Sequence, residues 1–187
     1  MPFIFGYGSL LNLKTHCVKP NNIYYVKLIP NESFSVRRSF NARSYWKNHS
    51  DKTNINNTYT ALGLEHVDYS KAQIVNGIIF EVDDEQLKNL IIREQNYEMV
   101  KLKASMFEFV HNHFGENLLN QNTLIITFIP LKSQYPTCDC PLDNKYIEIC
   151  LDGFLLFDKK FAYDFIDETS EWSETALTFA LDYVNKY

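Results

Sequence analysis

The 187 residues are enough to bury a sizeable core, and 45% apolar against 22% charged side chains is an ordinary globular balance. Eighteen Lys and Arg against 23 Asp and Glu give a formal net charge of −5, which disfavours non-specific binding to nucleic acid or an anionic membrane surface. Fourteen Phe and twelve Tyr exceed what a small core usually uses, so some of the rings are expected to line a pocket or crowd a small barrel.

The opening apolar run Phe3-Ile4-Phe5 breaks into Gly6-Tyr7-Gly8-Ser9 and resumes at Leu10-Leu11. The pattern predicts a strand that ends in a glycine-flanked turn and passes into a helical turn, with positive φ open to both glycines at low steric cost. Such a turn leaves amide N–H groups without intrachain partners and can bind an anion or a developing oxyanion. The alternative is a tight βα turn with no ligand. With no basic n-region, and an apolar stretch cut by two glycines and a serine, the segment reads as neither signal peptide nor membrane anchor. The expected compartment is therefore cytoplasmic, and the four cysteines are expected as free thiols. Cys138-Asp139-Cys140 lacks the further ligands at compatible spacing that a zinc site needs, so no metal is expected.

Residues 23–29 read as a strand closed by Pro30-Asn31. From 33 to 40 the pattern alternates, with Phe34, Val36, Arg38 and Phe40 on one face and Ser33, Ser35, Arg37 and Ser39 on the other. Arg38 thus shares the apolar face. Either its stem packs while its head reaches water, or its guanidinium turns into a cavity to hold a carboxylate. Residues 41–59 are polar, without an apolar period, and read as a long loop of the kind that serves as a lid or stays disordered; His49 in it has no partner spacing that would make it a ligand. Strands are expected at 60–67 and 73–82, the second nearly continuous in apolar residues and so central in its sheet.

Asp83-Asp84-Glu85-Gln86 marks a helix start, with Asp83 as N-cap and Gln86 placed to reach back. The helix runs to about Glu94, and its stripe of Leu87, Leu90 and Ile91 continues at i+7 with Glu94. A carboxyl on the buried face has its pKa raised by desolvation toward the range of a general acid/base. The alternative is a helix-end Glu paired with a basic residue at the rim. Strands at 97–103, 106–110 and 123–131 follow, with His111 and His113 as turn residues. Two prolines within 134–142 introduce an all-helical last third, with helices near 146–157 (Gly153 inside), 161–166 and 172–184. With no flexible linker evident, a single domain over 1–187 is expected, a β core at 1–133 with helices of 134–187 packed on it.

Two segments carry a resemblance: Phe5-Gly6-Tyr7-Gly8-Ser9-Leu10-Leu11, and Arg93-Glu94-Gln95-Asn96-Tyr97 after a short helix. Their order and spacing resemble the gamma-glutamyl cyclotransferase-like family, with weaker echoes in Arg37 to Asn41, in Asn76 to Val82, and in Asp164-Phe165-Ile166 followed by Trp172. The opening looks most like the ChaC-type branch, whereas Gln95-Asn96 stand where the family often has glycine. The resemblance implies an α+β fold: a small mixed β-barrel with flanking helices and a helical C-terminal third, its pocket at one barrel mouth. It implies a small-molecule gamma-glutamyl substrate whose own α-amine attacks its γ-carbonyl, closing 5-oxoproline and expelling the acylated amine, with no cofactor. Glu94 would be the acid/base, and the loop of Gly6, Tyr7, Gly8, Ser9 and Leu10 would hold the gamma-glutamyl group through its amides. Arg38 is the candidate holder of a substrate carboxylate, and Tyr7, Ser9 and Tyr97 are candidate walls. The leaving amine stays open between glutathione, a gamma-glutamyl amino acid and a gamma-glutamyl amine. A non-catalytic module keeping the same pocket for a small molecule or partner is the rival reading.

Overall fold

In the computed structural model, which describes residues 2–12, 23–45, 58–110, 119–120 and 122–187, the β elements are β1 (Phe3–Gly6), β2 (Ile23–Leu28), β3 (Val36–Tyr45), β4 (Thr58–His66) and β5 (Val75–Glu81). Helix α1 (Asp84–Arg93) precedes β6 (Tyr97–Lys103), β7 (Phe107–Phe109) and β8 (Leu124–Pro130). The last third holds α2 (Asn144–Leu155), α3 (Lys159–Asp167), the short β9 (Thr169–Ser170) and α4 (Glu174–Asn185). The strands form a six-stranded sheet in the order β6-β8-β1-β5-β2-β7 and a three-stranded sheet in the order β4-β3-β9. Both are mixed, because β1 runs parallel to β8 and β3 parallel to β9 while the other pairs are antiparallel. The α+β class and the packed helices of the last third are those expected; among the described residues the strands stay in two sheets without one closed hydrogen-bonded ring.

Sequence pattern explains most of these elements. β5 is buried from Val75 to Phe80 and pairs on both sides, with β1 and β2, as its unbroken apolar run requires. β2 alternates, with Tyr24, Val26 and Leu28 buried. Helix α1 begins with the expected capping box: the Gln86 amide donates to Asp83 Oδ1 at 2.7 Å and the Asp83 amide to Gln86 Oε1 at 2.9 Å. Caps of this kind stabilise a helix by about 1 kcal/mol. Phe154 and Phe165 stack at 4.4 Å between α2 and α3, with Phe161 at 5.5 Å from Phe154, and Phe161 in turn meets Tyr25 of β2 edge-on at 5.8 Å, so aromatic rings join the two helices to each other and to the larger sheet.

Two expectations need correction. The segment read as a loop from residue 41 continues as strand to Tyr45, and the partner strand starts at Thr58. The register of β3 against β4 shifts between Phe40 and Ala42, so Asn41 is a bulge residue. One extra residue breaks the two-residue period, which is why alternation could not be followed past Phe40. Residues 46–57, with His49, lie outside the described residues, as do His111 and His113. The last third is also not wholly helical: Thr169 and Ser170 pair in parallel with Arg38 and Ser39. Two residues held by a tertiary partner leave no periodic trace.

Candidate active site

The loop after β1 folds tightly without using left-handed backbone. No glycine among the described residues has positive φ, contrary to the expectation for Gly6 and Gly8. Closeness is what Gly6 provides, since a Cβ there would sit 2.9 Å from Leu10 Cβ. Ser9–Leu11 then form a 3-10 turn, with the Leu11 amide donating to Gly8 O at 3.0 Å and the Asn12 amide to Ser9 O at 3.1 Å. The N–H groups of Gly8 and Leu10 donate to no backbone carbonyl or side chain among the described residues. That is the unpaired start of a helical turn.

Glu94 caps the C-terminus of α1, its amide donating to Leu90 O at 2.8 Å and its carbonyl accepting from the Tyr97 amide at 2.8 Å. That turn aims the chain into β6. Leu90 is buried and Leu87 partly so, but Ile91 is 42% exposed, so the apolar stripe is narrower than the spacing suggested. The Glu94 side chain is nonetheless only 13% exposed, and burial raises its pKa. Arg93 Nε, 3.2 Å from Glu94 Oε1, pulls in the opposite direction. The two alternatives for this residue are thus both realised in one geometry, a largely buried carboxyl that also has a cationic neighbour.

Loop and carboxyl meet at one cavity of about 40 Å3. Tyr7, Gly8, Ser9 and Leu10 line one side, Glu94 and Tyr97 another, and Leu62, Phe128 and Tyr146 the remainder. Three phenols are pinned to backbone around it. Tyr7 Oη donates to Phe128 O at 2.5 Å, Tyr97 Oη donates to Leu62 O at 3.3 Å, and Tyr146 Oη accepts from the Leu62 amide at 3.1 Å. Burial drives the pKa of all three well up, so they remain neutral at any physiological pH. Tyr146 and Arg93 were not among the site residues read from the sequence. Tyr146 arrives from α2, and only its place on an apolar helix face hinted at it; Arg93, whose Nη2 donates to Ser9 Oγ at 3.2 Å, stood beside Glu94 in the resembling segment.

Arg38 lies elsewhere. It is fully buried and absent from the cavity wall, its head neither in water nor turned into the cavity. Its five donor contacts run from Nε to Thr169 Oγ1 (2.8 Å), from Nη1 to Asn76 O (2.9 Å) and Tyr7 O (3.4 Å), and from Nη2 to Asn76 Oδ1 (2.9 Å) and Phe165 O (3.1 Å). The guanidinium also lies over the Phe165 ring at 4.5 Å. Burial lowers its pKa to about 10, which leaves it charged at neutral pH. It braces the loop from beneath, through the Tyr7 carbonyl. Gly6 likewise shapes the loop without lining the cavity. Among the described residues no group of three or more His, Cys, Asp or Glu is placed to hold a metal, and no helix is long and apolar enough to cross a membrane.

No protein-family model and no curated protein matches the chain. Solved structures do. A gamma-glutamyl cyclotransferase specific to glutathione, from yeast, is 15% identical, aligns over 100% of this chain and 96% of its own, and superposes with a TM-score of 0.55. A second structure described as a gamma-glutamyl cyclotransferase is 12% identical over 100% of this chain and 99% of its own, at 0.48. YkqA from Bacillus subtilis is 13% identical over 98% of this chain and 54% of its own, at 0.47. The yeast superposition shows that the chain has a gamma-glutamyl cyclotransferase-like α+β fold.

Proposed function

We propose that the chain is a cytoplasmic gamma-glutamyl cyclotransferase in which Glu94 is the general acid/base and the loop of residues 7–10 receives the γ-carbonyl. The observation that carries this reading is the shared cavity, with the Gly8 and Leu10 amides, which have no acceptor among the described residues, on one wall and a largely buried carboxyl on another. The Glu94 carboxylate takes a proton from the substrate's α-ammonium, and the freed amine attacks the γ-carbonyl carbon. Negative charge moves to the carbonyl oxygen, where one well-placed amide contributes about 3 kcal/mol. The Glu94 carboxyl then protonates the departing nitrogen as its bond to carbon breaks, while the new ring nitrogen gives its extra proton to the released amine through water. The nucleophile belongs to the substrate, so this chemistry calls for no cofactor. Neutral phenols at Tyr7, Tyr97 and Tyr146 keep the walls dry and rigid, which strengthens the amide dipoles.

The decisive assay measures 5-oxoproline release from glutathione, from gamma-glutamyl amino acids and from gamma-glutamyl-lysine, with Glu94→Gln as the comparison. Product from wild type and none from the variant is the expected result. A ligand that raises the melting temperature of wild type without yielding product would make the protein a binding module instead.

A further inference from the structure

A second cavity of about 290 Å3 adjoins the first, with Tyr97 in the wall of both. The same elements that build the first also build the second. Strand β8 contributes Phe128 to one and Pro130 to the other, β4 contributes Leu62 and then Thr58, and the turn after α1 contributes Glu94 and then Asn96. Residues two or four apart on a strand share a face, so the second cavity is the next station along the surface that carries the first. The 40 Å3 beside Glu94 cannot enclose a gamma-glutamyl compound whole, and the remainder of a bound molecule has to continue outward.

The chemistry of the second cavity is one-sided. Arg43 and Lys132 lie in its wall with Thr58, Asn96 and Gln134, and no acidic side chain among the described residues does. Neither cation forms an ion pair with another described residue. In a chain with a net charge of −5, two cations that meet no acidic partner among the described residues, in one concave site, select for an anion. We infer that this cavity receives the leaving-amine half of the substrate and selects one that bears a carboxylate, held by Arg43 and Lys132. The inference rests on the proposed function for its orientation, because it assumes that the γ-carbonyl sits beside Glu94. It favours gamma-glutamyl amino acids and peptides over gamma-glutamyl derivatives of uncharged amines.

Binding to Glu94→Gln, which holds ligand without turnover, tests it by calorimetry with two probes of similar size, gamma-glutamylglycine and gamma-glutamylmethylamide. The expected result is at least a roughly tenfold preference for the carboxylate, reduced to about twofold or less when Arg43→Ala and Lys132→Ala are added. Removing two exposed cations elsewhere, Lys101→Ala and Lys103→Ala, should leave the preference intact. Equal affinity for the two probes overturns the inference and leaves the proposed reaction standing. A preference that survives the Arg43 and Lys132 changes also overturns it. If neither probe binds and wild type makes no 5-oxoproline, both the inference and the reaction fall.

Discussion

Arg93 Nε lies 3.2 Å from Glu94 Oε1, while the same guanidinium donates to Ser9 Oγ through Nη2 at 3.2 Å. One cation therefore links the carboxyl of the α1 terminus to the loop it faces. Burial raises the pKa of Glu94 and Arg93 holds it down, so this pair decides where the group titrates.

Replacing Arg93 by Met removes the positive charge that favours the carboxylate, and the pKa of Glu94 should climb further. The proposed reaction starts from the ionised form, so the acid limb of kcat/KM should move to higher pH in Arg93→Met. With a pair energy of about 1 kcal/mol, activity on that limb falls up to about fivefold and recovers on the plateau. A pH–rate profile that keeps its limb in place would detach Arg93 from the catalytic carboxyl.

Glu94→Gln should remove turnover and also stabilise the fold, in a pH-dependent way. A carboxyl whose folded-state pKa lies above the ordinary 4.5 binds its proton more tightly folded than unfolded, so ionising it costs stability as pH rises through the folded value. Below the ordinary value both states are protonated and that cost is absent. The melting temperature of the variant relative to wild type should therefore rise from about pH 4 to about pH 8. A difference that is flat with pH would mean that the carboxyl is solvated as freely in the fold as out of it.

The sequence exposed the local parts of this site and hid the long-range ones. The Asp83 and Gln86 cap, the strand-to-turn break at Gly6 and the continuation of a helical stripe to Glu94 are short-range patterns, and each is visible because neighbours in sequence set it. Ile91 shows the limit, since the same periodicity placed it on the buried face and it is exposed. Arg38 was legible as a residue on an apolar face, but how deep it sits depends on Asn76, Phe165 and Thr169, which lie 38 to 131 positions away. Tyr146 had no local signal that set it apart from a core residue. The bulge at Asn41 concealed half of a strand by breaking the period used to find it.

Arg38 should matter to stability far more than to substrate affinity. Arg38→Met takes the guanidinium donors from the Asn76 carbonyl, the Asn76 side-chain oxygen and the Thr169 hydroxyl in a dry interior, while the Phe165 carbonyl keeps its 2.6 Å bond from Thr169 Oγ1. Each orphaned buried group costs about 1 to 3 kcal/mol, so urea unfolding should show a loss of about 3 kcal/mol or more. Lysine should not rescue it, because one ammonium cannot span acceptors arranged for a planar fork. A variant that stays stable but binds substrate poorly would instead return Arg38 to the ligand.

Gly153 offers a test of how the helices hold the loop. It lies inside α2, where alanine normally stabilises by about 1 kcal/mol relative to glycine. Here an added Cβ would meet Leu11 Cβ at 2.5 Å, the Leu11 carbonyl carbon at 2.8 Å and the Asn12 nitrogen at 2.9 Å. Two of these are backbone atoms, which cannot rotate away as a side chain end does. The helix or the 3-10 turn has to move, and Ser9 and Leu10 of that turn line the cavity. Gly153→Ala should thus reverse the usual sign, costing about 1 to 3 kcal/mol in denaturant unfolding. Because the displaced turn carries the proposed oxyanion donors, kcat should fall in the fraction that remains folded while the pH limb set by Glu94 stays where it was. A stabilised variant with unchanged kcat would show that α2 and the loop are not in rigid contact at this point.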